Sequence, residues 1–516
     1  MRCIVRGAQG YAIVFLDDDR EIRRSEHVPS VHGFQEKYRG DKMTQTNSSI
    51  GIRQLLDMQK QAFIEEAAVS ADVRMQRIQQ VIDMLVEHKE ELCQAMGEDF
   101  GGRPAVFSLA NDILGSLSSL KHARDHLRDW LGDSERPSVK PFDMFGATAW
   151  VKYQPKGVIG IIGTWNAPLF TLLSPLACAF AAGNRAVLKP SEIAPRTAQV
   201  LAEAVAKRFD PQVLAVVQGG PEVAAAFAEQ PWNHLVFTGS TSVGKLIMAA
   251  AARNLVPVTL ELGGKSPVLV GDSADIANAA ERIAVGKSLN SGQLCVSPDV
   301  VWVHESRLQA LADGIASQYQ ALYPSVTGNA DMTPVINERH HARVKAYVDD
   351  AKARGLTVLE VGAAQAGADR RLPLALVVNP PAEAEISQHE IFGPAVVLRS
   401  FLNIRDAVAA INAGERPLAL YYFGNDETEQ NWVLDNTLSG GVSINDVVMH
   451  PALEDAPFGG VGASGMGHYH GREGFLEFSH ARSVYKAGNH DPRREWGMLP
   501  PYNPQFEQML QAAVTP

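Results

Sequence analysis

Cysteine is scarce in this chain. Cys3, Cys93, Cys178 and Cys295 are the only four in 516 residues, far apart and without a CxxC pair. That excludes a disulfide scaffold and a zinc ribbon, predicts no metal site, and fits a reducing cytoplasm. Clusters of lysine and arginine are missing too, and the formal net charge is -11, which argues against nucleic acid as a partner. Near the N-terminus the apolar run at 11–16 (YAIVFL) is short and is followed by Asp17, Asp18 and Asp19; it does not read as a signal peptide. The uncharged stretch at 158–183 has the length to cross a bilayer. It also carries Asn166, Pro168, Ser174, Pro175 and turn-forming glycines, so it reads as strand, loop and buried helix of an α/β core rather than a membrane span.

What the chain does have is enough length for two or three domains and a clear change of rhythm. From Ile50 to about Trp130 the pattern is helical, with Ile78, Ile82 and Leu85, then Leu92 and Met96, at three- and four-residue spacing. Residues 135–141 form a polar, proline-containing break. TAWVKY at 148–153 alternates like a strand, one arm of a hairpin with the residues before it. Strands then alternate with helices. Strands are expected at 157–163, 185–190, 213–220, 234–240 and 257–264, and helices at 170–182, 196–208, 221–229 and 243–254. This alternation implies βαβ units and a parallel sheet. A second α/β series follows to about Asn436, and a glycine-rich, then proline-rich section closes the chain.

Several short motifs carry chemistry. FTGSTSVGK at 237–245 follows a strand and opens a helix. Gly239 is expected to allow a tight turn, Gly244 a close helix approach, and the free N–H groups of the helix start a phosphate. It lacks the full GxGxxG spacing, and alone it reads equally well as a turn without a ligand. NRAVLKPSE at 184–192 puts Lys189 and Glu192 just past a strand end, where ligands bind in open α/β sheets; a simple helix cap is the plainer reading. ELGGKSP at 261–267 sets Glu261 before two glycines, either a movable general base or a surface glutamate. NSGQLCVSP at 290–298 contains Cys295. An isolated cysteine is more often an inert small hydrophobe than a nucleophile. A catalytic thiol needs activation, and no papain- or caspase-like signature surrounds this one. The candidate partners are Glu261 and Asn166, the latter an amide suited to an oxyanion. Cysteine, amide and carboxylate on a dinucleotide-type fold suggest covalent chemistry on a carbonyl coupled to hydride transfer.

Taken together and in order, TWNAP (164–168), LKPSE, FTGSTSVG, LELGGKSP, GQLC and EIFGP (390–394) resemble the motifs of the NAD(P)-dependent aldehyde dehydrogenase superfamily, from about Ser48 to Tyr502. The section at 440–480 and MLPPYN at 498–503 are similar to the class 3 group and especially to its bacterial coniferyl aldehyde dehydrogenase branch. The resemblance implies an α/β aldehyde dehydrogenase fold. Residues 43–142 and 157–262 would form a Rossmann-like NAD(P)-binding domain and 263–436 an α/β catalytic domain. Residues 143–156 and 437–487 would form a small β oligomerisation element that builds a homodimer, and 488–516 a tail. Residues 1–42 are an extension outside this core, expected to be dispensable, with Met43 as a candidate start.

The resemblance also implies roles. Cys295 would attack the aldehyde to give a thiohemiacetal and then a thioester. Asn166 and the Cys295 N–H would hold the oxyanion, and Glu261 would activate the hydrolytic water. Trp165, Lys189, Glu192, Gly239, Ser240, Val243, Gly244, Leu262, Glu390 and Phe392 would bind the cofactor. Lys189 and Glu192 would hold the adenine ribose, Glu390 the nicotinamide ribose, and Phe392 would pack near the nicotinamide. Glu192 would repel a 2′-phosphate, favouring NAD, with NADP possible. Ala167 stands where the family has an aromatic residue and Thr164 where it has proline, which points to an altered substrate range. An aromatic aldehyde of the coniferyl type is expected, with a medium- or long-chain aliphatic aldehyde as alternative. Glu261 argues against the CoA-acylating branch, and intact Cys295, Glu261 and Asn166 argue against a non-catalytic protein on this scaffold, as lens crystallins are.

Overall fold

The computed structural model describes residues 2–7, 10–15, 42–362 and 369–514, and side chains from residue 51 onward. The chain divides into two compact units, Met1–Asn47 and Ser48–Pro516. In the first, strands Arg2–Gly7 and Gly10–Phe15 pair antiparallel, and helix Lys42–Glu66 begins. The expectation that residues 1–42 are dispensable falls mostly on residues outside those described.

In the second unit the expected helical stretch is real but interrupted. Helix Ala71–Phe100 is capped by Ser70, whose hydroxyl accepts from Val73 N–H, and ends at Gly101 with φ +71°. The latter is a left-handed stop that glycine adopts without a Cβ penalty. Its apolar stripe, Ile78, Ile82, Leu85, Leu92 and Met96, is buried. A π-helical turn, Leu109–Leu114, precedes helix Gly115–Trp130. No sequence pattern announced it. The break expected at 135–141 begins only after residue 136, because Ser134–Arg136 is a strand that pairs with Thr148–Pro155; the expected hairpin therefore exists. The main partner of Thr148–Pro155 is Ser479–Lys486, antiparallel over eight residues.

The six-stranded sheet is built from the alternating series. Its order is Gly465–Met466, Val258–Glu261, His234–Thr238, Val158–Ile162, Arg185–Lys189, Leu214–Val216. All neighbours run parallel except the first pair. From Val158–Ile162 the chain winds outward one way, then returns to the other side at His234–Thr238. That reversal opens a crevice at the carboxyl ends of these two strands, where ligands of open α/β sheets sit. The strand expected at 213–220 is only Leu214–Val216, an edge strand that leaves the sheet before its glycines. The helix expected at 243–254 starts at Thr241, because Ser240 caps it. The uncharged stretch at 158–183 is strand Val158–Ile162, a loop and the twelve-residue helix Phe170–Ala181. No helix among the described residues is long and apolar enough to cross a membrane.

A seven-stranded sheet follows, ordered Val358–Val361, Leu374–Val378, Ala395–Phe401, Val300–His304, Pro267–Val270, Ala419–Phe423, Gly441–Ile444. Only its first pair is antiparallel. Strands buried on both faces, such as Pro267–Val270, carry uninterrupted apolar runs. Glu261 ends a strand of one sheet and Pro267 opens the other, so five residues bring the two sheets' ends together.

Candidate active site

The segment before Cys295 is not regular helix. Asn290, Ser291 and Gly292 all have positive φ, +50°, +53° and +72°, a backbone that only surrounding contacts hold in non-glycine residues. A Cβ at Gly292 would come within 2.5 Å of the Gly393 carbonyl oxygen, so glycine is required there by space as well as conformation. The fully buried Gln293 amide supplies the contacts. Its Nε2 donates to Asn290 O at 2.9 Å and Pro334 O at 3.0 Å, and its Oε1 accepts from Ile336 N–H at 3.0 Å. After the cysteine, Ser266 Oγ donates to Cys295 O at 3.2 Å, Tyr421 donates to Val296 O, and Lys287 Nζ donates to Pro298 O at 2.8 Å. The Cys295 loop is thus fixed on both sides.

Cys295 itself is half-buried and lines a cavity of about 780 Å³. Its thiol is pushed up to about 12, first by burial, then by the Glu390 and Glu261 carboxylates; the backbone N–H groups of Cys295 and Val296 oppose this. At neutral pH it is therefore a neutral thiol that must lose a proton to react. Glu261 is 1% exposed, and neither of its oxygens has a hydrogen-bond partner within normal geometry. Burial raises its carboxyl well above the usual range, with only the Gly460 N–H counteracting. Such a carboxyl accepts a proton readily. Asn166 follows strand Val158–Ile162 and is 4% exposed. One Nδ2 hydrogen donates to Gln293 O at 3.0 Å, leaving the second for a ligand. All three expected catalytic side chains line the one cavity.

The cavity also takes in Trp165, Gly239, Ser240, Leu262, Glu390 and Phe392 of the expected cofactor set. Lys189, Glu192, Val243 and Gly244 lie outside its lining. Lys189 is 1% exposed and its Nζ lies 3.3 Å from Glu192 Oε2, so the ammonium and carboxylate are already arranged as a pair beside the strand end. Ser240 caps helix Thr241–Ala252. Gly244 acts as expected: a Cβ there would meet Leu262 at 2.7 Å. At Gly239 the chain bends as expected, without a positive φ, and space adds a second reason for glycine, because a Cβ would come within 2.4 Å of the Phe237 ring. Glu390 folds over Gly263, whose Cβ would meet it at 2.4 Å, and burial pushes its carboxyl up to about 8. Phe392 packs edge-on against Trp165 with centroids 5.3 Å apart. Arg343 donates to the carbonyls of Ile391 and Phe392, at 2.8 and 3.3 Å, and so holds that loop. A crevice at the strand-order reversal, a capped helix start, and glycines that leave no room for a Cβ fit a dinucleotide.

On its other side the cavity is lined by Leu114, Ala167, Phe170, Val448, Phe458 and Tyr469, an apolar and aromatic branch. Sequence reasoning missed Leu114 and Phe170, as well as the support beneath Asn166. Arg103 Nη2 lies 2.7 Å from Asp112 Oδ2, with both side chains wholly buried. Asp112 Oδ1 accepts from Leu169 N–H at 3.1 Å, and Arg103 Nη1 donates to Asn166 O at 3.4 Å. An ion pair thus anchors the Asn166 loop to the π-helical turn, a type of irregularity found often at functional sites. Nothing local marks Arg103 or Asp112. Gln293, beside the cysteine in GQLC, was open to recognition as a loop clamp.

Comparison with known proteins agrees with this geometry. The profile described as the aldehyde dehydrogenase family matches residues 26–484. The chain is 43% identical over 470 residues to a probable coniferyl aldehyde dehydrogenase of Caulobacter vibrioides, covering 90% of this chain and 96% of that one. It is 44% identical over 442 residues to a coniferyl aldehyde dehydrogenase of a Pseudomonas species, covering 84% and 91%. Among solved structures, the substrate-bound state of Staphylococcus aureus AldH superposes with a TM-score of 0.83 at 33% identity, covering 90% of this chain and 99% of that one.

The buried pair gives a test. Arg103→Met leaves the Asp112 charge uncompensated and is expected to cost about 3–5 kcal/mol in denaturant unfolding. Adding Asp112→Asn removes that charge and should recover part of the loss. A double variant whose loss equals the sum of the singles would show that the two residues are not coupled.

Proposed function

The chain belongs to the aldehyde dehydrogenase family and is an NAD(P)-dependent aldehyde dehydrogenase; we propose that it oxidises an aromatic aldehyde of the coniferyl type, with Cys295, Asn166 and Glu261 carrying the chemistry. The observation that supports the roles is the meeting of these three side chains on one cavity between a dinucleotide-type crevice and an aromatic-lined branch.

The Cys295 thiol gives up its proton to the Glu261 carboxylate, which passes it to solvent before the hydrolytic step, and Sγ attacks the carbonyl carbon. The new C–S bond converts the carbonyl oxygen to an oxyanion. The free Asn166 Nδ2 hydrogen and the Cys295 N–H stabilise it, as pre-oriented donors do. The chemistry that a bound nicotinamide dinucleotide supplies is acceptance of a hydride. Cys295 then carries a thioester, and Glu261 takes the proton of the water that hydrolyses it. The residues proposed to hold the cofactor are Trp165, Lys189, Glu192, Gly239, Ser240, Val243, Gly244, Leu262, Glu390 and Phe392. The Glu192 carboxylate beside Lys189 disfavours a 2′-phosphate, which supports NAD over NADP.

The domain limits, assembly and location are proposed on the same footing. The six-stranded sheet supports 43–142 and 157–262 as the cofactor domain, and the seven-stranded sheet supports 263–436 as the catalytic one. Strand Ser479–Lys486 is an edge of its three-stranded sheet, an open ladder suited to a homodimer contact; 143–156 and 437–487 form this element, and 488–516 is the tail. The three described cysteines are free thiols, which supports a cytoplasmic location. Light scattering should give the mass of a dimer; a monomer at micromolar concentration would overturn that assembly.

Cys295→Ala is expected to abolish formation of reduced cofactor. Glu261→Gln should give a burst of it and then stall as thioester, with steady turnover lowered by about 10²–10⁴. Steady turnover by Cys295→Ala would overturn the assignment.

Ala167 is 6% exposed and lines the cavity beside Asn166, so a ring there takes space from the substrate. Ala167→Tyr should lower kcat/KM for hydroxycinnamaldehyde more than for propanal, by about 10–200-fold in their ratio. An equal change on both substrates, or a gain on the aromatic one, would sink the bulky-tunnel reading.

A further inference from the structure

Three carboxylates line the cavity: Glu261, Glu390 and Glu454. The first two act on the Cys295 sulfur. Glu454 belongs elsewhere. It follows the short turn His450–Ala452, and the Ser119 hydroxyl lies beside its carboxyl. Ser119 Oγ accepts from Ser174 Oγ at 3.0 Å and donates to Gly115 O at 3.4 Å. Ser119 lies one helical turn beyond Gly115, and a Cβ at Gly115 would come 3.1 Å from the Phe170 ring. One further turn along, Asp455 reaches His122 at 3.4 Å. The segment at 454–455 therefore runs along helix Gly115–Trp130, whose Gly115 faces Phe170. Cys295 and Glu454 line the same cavity, with Leu114, Ala167, Phe170 and Phe458 as its apolar walls and Asn111, Ser118 and Thr171 among them.

A carboxyl on a largely apolar cavity wall is costly unless its oxygens find donors. Burial pushes Glu454 up to about 7, and only the Ser119 hydroxyl opposes. The nearby His470 provides no cation. It is 1% exposed behind Phe458 and Phe170, with ring centroids 5.6 and 5.8 Å away, and burial pushes its imidazole down to about 3. Glu454 is thus an acceptor with room for one more donor, facing the cavity.

We propose that Glu454 is the specificity-determining residue of the substrate branch, accepting a hydrogen bond from the para-hydroxyl of an aryl aldehyde whose carbonyl lies at Cys295. This rests on the aromatic substrate proposed above and deepens it. The apolar walls hold the ring and side chain, and the phenolic O–H fills the acceptor that an aliphatic aldehyde leaves unpaired. A site built to receive a hydroxyl discriminates against analogues without one more strongly than an apolar pocket can.

The test compares kcat/KM for 4-hydroxycinnamaldehyde, its 4-O-methyl ether, cinnamaldehyde and hexanal. In the wild-type enzyme the 4-hydroxy compound should exceed the ether, which has no O–H to donate, by roughly tenfold or more. In Glu454→Leu the ratio of 4-hydroxycinnamaldehyde to cinnamaldehyde should fall roughly 10- to 100-fold. Glu454→Gln keeps an acceptor oxygen and should retain most of the ratio. Equal wild-type rates for the hydroxy compound and the ether would overturn the inference without any variant. An unchanged ratio in Glu454→Leu would overturn it too, and in both cases the aromatic substrate reading survives. Hexanal turned over better than every aryl aldehyde would overturn that reading, and the role of Glu454 with it.

Discussion

The buried amide of Gln293 is the contact on which the site depends. Its side chain bonds to Asn290, Pro334 and Ile336, and its carbonyl oxygen accepts from Asn166 Nδ2 and from Asn290 Nδ2 at 3.3 Å. One fully buried residue thereby holds the left-handed backbone before Cys295, orients the amide proposed for the oxyanion, and ties both to the segment at 334–336. Three consecutive residues with positive φ cost free energy that local sequence does not recover. The network recovers it, because every Gln293 side-chain polar group is satisfied in a place water does not reach.

That rigid frame leaves the electrostatics unsatisfied by contrast. Cys295 faces two raised carboxyls, and the Glu261 oxygens lack partners while Gln293 lacks none. Unpaired buried acids and a reluctant thiol would be faults in a purely structural core. Around a cavity such perturbed groups suit the roles proposed for Cys295 and Glu261. The same division holds at Asn166, whose backbone is fixed through Arg103 and Asp112 while one amide hydrogen stays free. Stability sits in the loops beneath the site, and reactivity in the side chains above it.

Much of this was legible from residue order. Alternating apolar runs placed five strands of the six-stranded sheet to within a few residues, since a parallel sheet buried on both faces requires such runs. Leu214–Val216, shorter than expected, and Gly465–Met466, not expected at all, are the edge strands, where burial no longer forces length. The helix expected from Val243 starts two residues earlier, because the Ser240 cap precedes the apolar periodicity. Gly244 was read correctly because close helix approach leaves a spacing signature. The turn at Gly239 was legible, but not that a ring from its own strand, Phe237, fills the space its Cβ would need. The π-helical turn at 109–114 left no trace, because its apolar pattern differs from an α-helix by a single residue.

By itself the sequence determined the α/β alternation, the order of the motifs and the identity of the reactive groups. Each of these depends on neighbours within a few residues, through strand periodicity, caps and side-chain chemistry. Only the tertiary structure decided which groups meet. Glu261 and Cys295 are 34 residues apart, Asn166 lies far before both, Arg103 and Asp112 come from segments with no motif at all, and nothing within the section at 440–480 singled out Glu454. Their assembly follows from strand order and from the desolvation that packing imposes. Burial is a property of the folded whole, so the raised acidities of Glu261 and Glu390 and the altered thiol of Cys295 exist only once both sheets have closed around the cavity.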